Sequence, residues 1–237
     1  LCTERLLRMD PCMHVYAPPA EAPPVREASA RRPGAIRLGS FNVVGKISSV
    51  TLDLWGQIMQ ALPGSTLMLK STSIADQASW GRITSALGER GVGAERVESL
   101  VRTPSLRAHL EAYHDLDLAL DPTPYNGTTT TCEALWMGVP VVALRGDRHA
   151  ARVSSALLGA AGLDELITET PEAYVRRAID LARDDARRAE YRATLRERLR
   201  TSAVCDGPGA ARRFEGLIRA AWREACSAAN NSSSLML

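Results

Sequence analysis

The chain has 237 residues, of which 45% are hydrophobic and 24% are charged, and its net charge is +2. This composition is typical of a soluble globular protein with one large core and room for additional helices. The near balance of charges gives no reason to expect a nucleic-acid partner, and no apolar run reaches the length of a membrane span. The five cysteines lack a Cys-x-x-Cys spacing, so reduced thiols and a cytoplasmic location are expected rather than disulfides or a zinc site.

Two short segments of different character precede the main domain. Residues 1–16 show an amphipathic turn and then a short strand-like run, which is typical of the end of another unit. Residues 17–34 contain five prolines among alanines, glutamates and arginines, and such a composition predicts a linker. The compact domain is therefore predicted to cover residues 35–226. The low-complexity tail at 227–237 is predicted to be disordered.

In the main domain, extended and helical patterns alternate along the chain. Strands are predicted at 35–42, 65–70, 96–101, 116–120 and 140–144. Helices are predicted at 49–62, 76–91, 105–113, 128–137 and 149–161. Strands that are separated by helices predict βαβ units with right-handed crossovers and a parallel sheet. The predicted fold is therefore α/β, a doubly wound parallel sheet.

Helical patterns also follow the sheet. An arginine-rich pattern covers 171–203, and an amphipathic one covers 207–226. Acidic residues alternate with the arginines, so the basic side chains are predicted to form a solvated face rather than a nucleic-acid surface. These C-terminal helices complete the predicted domain.

Residues 118–142 carry the strongest functional signal. An apolar strand ends at Asp121, a turn contains Asn126 and Gly127, and four threonines at 128–131 open a helix. The first N–H groups of a helix have no partner within it, and the helix dipole makes this end positive. A diphosphate would therefore be bound there by backbone N–H groups and threonine hydroxyls.

The same stretch supplies two further features of a nucleotide site. Gly127 allows the backbone to approach a phosphate closely, and the carboxylate of Glu133 could accept hydrogen bonds from a ribose diol. The alternative is that a threonine caps the helix and that glutamate only favours its first turn. A single threonine would suffice for capping, so four in succession favour the ligand interpretation.

Two loops at the same edge of the sheet add polar candidates. Lys46, after the first strand, would place an ammonium group near a diphosphate and neutralise charge on a leaving group; alternatively, it is an exposed surface lysine. His109 could face a base or a ribose, although a lone histidine on a short helix more often packs. The Gly-x-Gly-x-x-Gly and P-loop patterns are absent, and the four histidines are not spaced for a metal site.

Three blocks of the sequence resemble the protein O-GlcNAc transferases, the SPINDLY-like glycosyltransferases. The blocks are FNVVGKIS, LDLALDPTPYNGTTTTCEALWMGVPVV and LRGDRHAARVSSALL, and the resemblance extends over residues 5–225. It implies the GT-B fold, in which two Rossmann-like domains face a cleft, usually after tetratricopeptide repeats. By this resemblance the chain is the C-terminal, donor-binding half, and residues 1–16 are the end of the preceding catalytic domain.

The resemblance also implies roles for individual residues. Lys46 matches the lysine that contacts the donor diphosphate and is the candidate catalytic residue. His109 matches the histidine at the uridine. Thr129 and Thr130 match the hydroxyl pair at the phosphates, and Glu133 takes the place of the acidic residue at the ribose.

Other positions complete or depart from the family pattern. Asn126 and Gly127 shape the loop of the UDP-sugar site, which also includes Thr128, a position that varies within the family. Val43 stands where an asparagine or glutamine is usual, which removes one polar contact near the phosphates. Ala151 replaces a common serine.

The implied activity is inverting transfer of N-acetylglucosamine from UDP-GlcNAc to Ser or Thr hydroxyls of proteins, without a metal or another cofactor. The expected partners are a UDP-sugar, acceptor proteins, and the missing N-terminal half with its tetratricopeptide repeats, in the cytoplasm or, in a eukaryote, also the nucleus. Alternatives are a protein O-fucosyl- or O-glucosyltransferase of the same family, or a non-catalytic module that binds nucleotide sugars. The isolated chain is expected to bind UDP weakly and to transfer nothing.

Overall fold

A computed structural model describes residues 3–26 and 35–234, with side chains as far as residue 227. Six parallel strands form one sheet in the order β3-β2-β1-β4-β5-β6. The strands are β1 (Arg37–Ser40), β2 (Thr66–Lys70), β3 (Val97–Leu100), β4 (Leu118–Leu120), β5 (Val141–Leu144) and β6 (Ile167–Thr168). The predicted doubly wound sheet is confirmed. Only β6 was not predicted, because two residues are too few to show a strand pattern.

Eight helices surround the sheet in the part of the chain that the structure describes. They are α1 (Ser49–Ala61), α2 (Gln77–Gly88), α3 (Leu106–Glu111), α4 (Thr129–Trp136), α5 (Val153–Ala160), α6 (Pro171–Arg183), α7 (Asp185–Arg200) and α8 (Gly207–Ser234). Contacts join α1 to α2 and α6 on one face, and α4 to α5 and α7 on the other. This two-sided cover explains why the central strands are apolar on both faces. No helix among the described residues is long and apolar enough to cross a bilayer.

Local sequence signals set the ends of the helices that flank the site. The Ser48 hydroxyl caps α1 by accepting a hydrogen bond from the Thr51 N–H at 3.1 Å. At the end of α4, the Val139 N–H donates to the Ala134 carbonyl at 2.8 Å, and Gly138 has a φ of +75°. This is a Schellman C-cap, in which glycine adopts the left-handed conformation at low cost.

The sheet order reverses between β1 and β4. Connections from β1 lead to β2 and β3 on one side, whereas β4, β5 and β6 follow on the other. In open parallel sheets, ligands bind beyond the carboxyl ends of the strands at such a switch point. The loops after β1 and β4 lie there.

The core also supports these loops. Trp55 on α1 and Tyr174 on α6 are fully buried, and the indole N–H donates to the tyrosine hydroxyl at 3.2 Å. The Tyr174 hydroxyl in turn donates to the backbone carbonyl of Asp121 at 2.9 Å. The end of β4 is therefore held by α1 and α6, on the face of the sheet opposite to α4.

The prediction that the arginine-rich region is a solvated face was wrong for part of α7. Arg192 is only 8% exposed and donates to the carbonyls of Met137 and Leu116. Arg196 donates to the Trp136 carbonyl at 2.7 Å and lies over its indole ring. The guanidinium groups donate hydrogen bonds to carbonyls around the end of α4. These contacts depend on which face of α7 packs against the sheet.

The N-terminal segments pack closely against the domain. Cys12 is buried in the main core, and the Tyr16 N–H donates to the Val204 carbonyl at 2.8 Å. The described part of the predicted linker, 17–26, also packs: Pro23 is buried, and its carbonyl accepts from Arg196 at 2.7 Å. Proline-rich chain forms no core of its own, but its carbonyls and rings can cover an existing one. Residues 27–34 of that linker lie outside the described residues.

The C-terminal helix is longer than expected. The tail at 227–237 was predicted to be disordered, but α8 continues to Ser234. Residues 235–237 lie outside the described residues. A helix that is already formed extends at little cost through alanines such as those at 228 and 229, which explains the difference.

Candidate functional site

Lys46 lies at the point where the loops after β1 and β4 meet. Ile47 and Pro124 form an isolated β-bridge between these loops. The Lys46 ammonium donates to the Asn126 carbonyl at 2.8 Å and lies 4.3 Å from the centre of the Tyr125 ring. Burial lowers the pKa of Lys46, and the neighbouring carboxyl group of Asp121 partly opposes that shift. The structure therefore brings this lysine to the turn that opens α4.

Hydrogen bonds from neighbouring side chains hold the Asn126-Gly127 turn in place. The Gly127 N–H donates to Asp121 Oδ1 at 2.7 Å, and the Ser154 hydroxyl donates to the Gly127 carbonyl at 3.0 Å. The side chain of Asn126 is fully buried, and its amide donates to the Pro122 carbonyl at 3.0 Å. Asn126 therefore shapes the loop through its side chain, and its backbone carbonyl holds the Lys46 ammonium.

Gly127 has no room for a side chain. A Cβ atom there would lie 2.7 Å from the hydroxyl oxygens of Thr130 and Thr131 and 3.0 Å from Asp121 Oδ1. Threonine side chains are stiff, so the helix start or the turn would have to move. We expect Gly127→Ala to reduce the free energy of unfolding by about 1–3 kcal/mol. The corresponding fall in melting temperature is about 2–10 °C by scanning calorimetry.

Gly81 provides the matched control for this substitution. It lies in α2, and a Cβ there would meet nothing within 4 Å. Gly81→Ala is expected to leave stability unchanged or to raise it by up to about 1 kcal/mol, since alanine favours a helix. Equal melting temperatures for the two variants would show that the turn is not tightly packed.

The start of α4 is open for an anion. Thr128 is the N-cap residue, but its side chain makes no capping hydrogen bond. The Thr129 side chain is exposed, and the Thr130 hydroxyl donates to Asn42 Oδ1 at 3.0 Å. The N–H of Cys132, which bonds to the Thr128 carbonyl, begins the helical pattern. Among the described residues, the N–H groups of the first turn have no acceptor, which favours the phosphate interpretation over capping.

A second cluster lies one turn further along α4. The carboxylate of Glu133 contacts His109 Nε2 at 2.9 Å and accepts from the Tyr113 hydroxyl at 3.1 Å. A carboxylate oxygen is an acceptor, so this contact uses His109 Nε2 as the donor. His109 Nδ1 is buried without a partner among the described residues. His109 and Glu133, which were predicted separately for the uridine and the ribose, are therefore in direct contact beside the helix start.

Several residues of this region were missed by the sequence interpretation. Phe41 packs against Tyr113 with ring centres 4.4 Å apart, and Lys70 lies 5.9 Å from the Phe41 ring centre. Burial lowers the pKa of Lys70, although the nearby carboxylate of Glu133 partly opposes this shift. Tyr113 follows His109 by four residues, a spacing that places two side chains on one face of a helix. The sequence therefore contained a signal for the contact of Tyr113 with the site. The approach of Phe41 and Lys70 depends on the sheet order.

Asp121 is a buried acidic group at the site, and its pKa is strongly raised. It is 2% exposed, and burial raises its pKa to about 7, although the Gly127 N–H and the Lys46 ammonium oppose the shift. Its Oδ2 atom is buried without a hydrogen-bond partner in the described part of the chain. This carboxyl group therefore changes charge near neutral pH, directly beneath the turn.

Within residues 3–26 and 35–234, no group of three or more His, Cys, Asp or Glu side chains is arranged to hold a metal ion. The charged groups that the structure brings to the helix start include the Lys46 ammonium on one side and the Glu133 carboxylate on the other. A cation and free N–H groups suit a diphosphate, whereas a carboxylate suits a sugar diol.

Comparisons with known proteins identify the family of the chain. The sequence profile of glycosyl transferase family 41 matches residues 26–209. A Solanum lycopersicum protein, named as a probable UDP-N-acetylglucosamine–peptide N-acetylglucosaminyltransferase SPINDLY, is 38% identical over 94% of this chain and 24% of its own length. The chain thus spans about a quarter of this relative.

Solved structures give the same assignment. A lysine-to-methionine mutant of the Thermobaculum terrenum O-GlcNAc transferase is 40% identical, with a TM-score of 0.86 over 96% of this chain and 43% of that one. HepE from Anabaena, solved with UDP and glucose, has a TM-score of 0.53 at 17% identity over 78% of this chain and 48% of its own, which shows the fold alone. The structural neighbours are GT-B glycosyltransferases, as predicted. The chain therefore belongs to glycosyl transferase family 41.

Proposed function

We propose that the chain is the donor-binding part of a protein O-GlcNAc transferase that uses UDP-GlcNAc. The observation that carries the proposal is the uncapped start of α4 with the Lys46 ammonium held at the same turn. The diphosphate lies at this helix start, with Thr129 and Thr130. The uridine lies toward His109, with its ribose at Glu133.

The chemistry follows from where charge develops. When the bond between the anomeric carbon and the phosphate oxygen breaks, negative charge grows on the departing UDP. Lys46 and the N–H groups of α4 are positioned to stabilise that charge, and preorganised donors of this kind lower a barrier efficiently. We propose that these groups supply the positive charge for an inverting, metal-independent transfer to a Ser or Thr hydroxyl.

The remaining parts of the reaction belong to a longer protein. The chain covers 24% of the SPINDLY relative and 43% of the bacterial transferase. We propose that a preceding domain, after tetratricopeptide repeats, binds the acceptor protein and supplies the base for its hydroxyl. A cytoplasmic location, or a nucleocytoplasmic one in a eukaryote, is part of the same proposal.

Titration calorimetry with UDP, UDP-GlcNAc and GDP tests the donor assignment. We expect UDP and UDP-GlcNAc to bind at least about tenfold more tightly than GDP, a difference of about 1.4 kcal/mol. Tighter binding of GDP would contradict the assignment and indicate a GDP-sugar donor, such as GDP-fucose. Without a nucleotide response of any kind, the donor-binding role would be wrong.

A transfer assay tests whether the donor-binding part needs the proposed preceding domain for activity. The isolated chain is expected to transfer no N-acetylglucosamine from UDP-GlcNAc to a Ser- and Thr-containing protein mixture, because the acceptor side is supplied elsewhere. Mass spectrometry of the mixture measures the transfer. Modified peptides above the level of a no-enzyme control would contradict this expectation.

A further inference from the structure

The two carboxylate oxygens of Glu133 have different surroundings. Oε2 receives hydrogen bonds from both His109 and Tyr113, at 2.9 and 3.1 Å. Oε1 makes no hydrogen bond to any part of the chain that the structure describes, and the side chain remains 10% exposed. One oxygen is therefore occupied by the protein, and the other is left for a ligand.

We propose that Tyr113 is a positioning residue for the donor nucleotide, which acts through Glu133 and touches no substrate itself. This inference rests on the proposed donor site at α4. The Tyr113 hydroxyl, together with His109, holds Oε2 and so turns Oε1 toward the vicinal diol of the ribose. Without the phenol, the carboxylate rotates more freely and must be ordered by the ligand at an entropic cost.

The surroundings of Tyr113 suit this role. Its side chain is 1% exposed, and its ring packs on Phe41 with ring centres 4.4 Å apart, so the hydroxyl has a fixed place. Burial, reinforced by Glu133, raises the pKa of Tyr113, which keeps the phenol protonated as a donor. The hydroxyl also lies 3.3 Å from the Thr130 carbonyl. Tyr113 thus connects the proposed ribose carboxylate to the helix turn at the phosphates.

A comparison of two ligands separates positioning from packing. We expect Tyr113→Phe to weaken UDP binding by about 3–10-fold, the cost of ordering one side chain when the ligand binds. Binding of 2′,3′-dideoxy-UDP, which lacks the diol, is expected to change by less than about twofold. Titration calorimetry measures both ligands, and scanning calorimetry confirms that the variant is folded.

Two further variants keep the test sharp. Tyr191→Phe is the matched control, because Tyr191 is also 1% exposed and donates to a carboxylate, Glu165 Oε1, at 3.0 Å. Tyr191 lies on α7, outside the proposed donor site. The substitution is expected to leave both ligands unchanged. In a Glu133→Gln background, Tyr113→Phe should add less than about a twofold further loss for UDP, because the two residues act as one unit.

The outcomes are distinguishable. Equal weakening of UDP and dideoxy-UDP, or no weakening of either, would overturn the positioning role alone and leave the proposed donor site intact. Failure of the wild-type chain to bind UDP would overturn the proposed function and this inference with it.

Discussion

Replacing Lys46 with methionine is expected to weaken UDP binding by about 10–100-fold, the effect of one charge-assisted contact to a phosphate. Uridine, which has no phosphate, should bind the variant within about twofold of the wild type. The reason is that the ammonium lies at the helix start, while His109 and Glu133 form a separate cluster. Methionine keeps the length and apolar stem of the side chain, so the fold is expected to remain intact.

Arg37 provides the control for charge removal. It lies at the amino end of β1, opposite the site, and is paired with Glu98 at 3.0 Å. Arg37→Met also lowers the net charge by one and should leave UDP affinity within about twofold. Titration calorimetry at one ionic strength measures both variants. If Lys46→Met weakened uridine as much as UDP, its place at the diphosphate would be refuted.

Asp121 is expected to make stability depend on pH. Its pKa in the folded chain is about 7 against an ordinary value of 3.8, so the folded state favours the protonated form. Its contribution is therefore complete below about pH 4 and is lost as the pH rises toward and through 7. The stability of the wild type relative to Asp121→Asn should fall by about 2–3 kcal/mol between pH 5 and pH 8.

Urea unfolding at several pH values measures this difference, in buffers without phosphate, which would compete for the proposed anion site. Asparagine keeps an oxygen acceptor for the Gly127 N–H, so the turn is expected to survive the change. Asp53→Asn is the control, since that carboxylate is 51% exposed in its pair with Arg90, and about 0.5 kcal/mol or less is expected. Parallel stability curves for wild type and Asp121→Asn would show that Asp121 is ionised throughout.

Much of the fold could be predicted because the central strands are short apolar runs between clear helix signals. Ser48 before α1 and Gly138 after α4 show this, since each is a local signal with a single backbone consequence. The packing of residues 17–26 and the burial of Arg192 could not be predicted in the same way. Both depend on arginines of α7 that reach carbonyls distant in the sequence, which only the tertiary arrangement reveals.

Some residues of the candidate site could also be predicted from local sequence patterns, and others could not. The loop after β1 and the turn before α4 could be predicted from short sequence patterns. These patterns contain Lys46, Gly127 and the threonines. Tyr113 and Phe41 are 72 positions apart in the chain, and their contact follows from the placement of β4 beside β1. Asp121 was visible as the end of a strand, but its raised pKa results from burial, which the sequence does not state.

A crystal structure of the chain with UDP-GlcNAc is the most direct test of a donor site at the start of α4. We expect diphosphate oxygens within hydrogen-bond distance of the Lys46 ammonium and of the first N–H groups of α4. We also expect ribose hydroxyls at Glu133 Oε1, with the Tyr113 hydroxyl still on Oε2. A nucleotide bound elsewhere, with the helix start empty, would contradict the account.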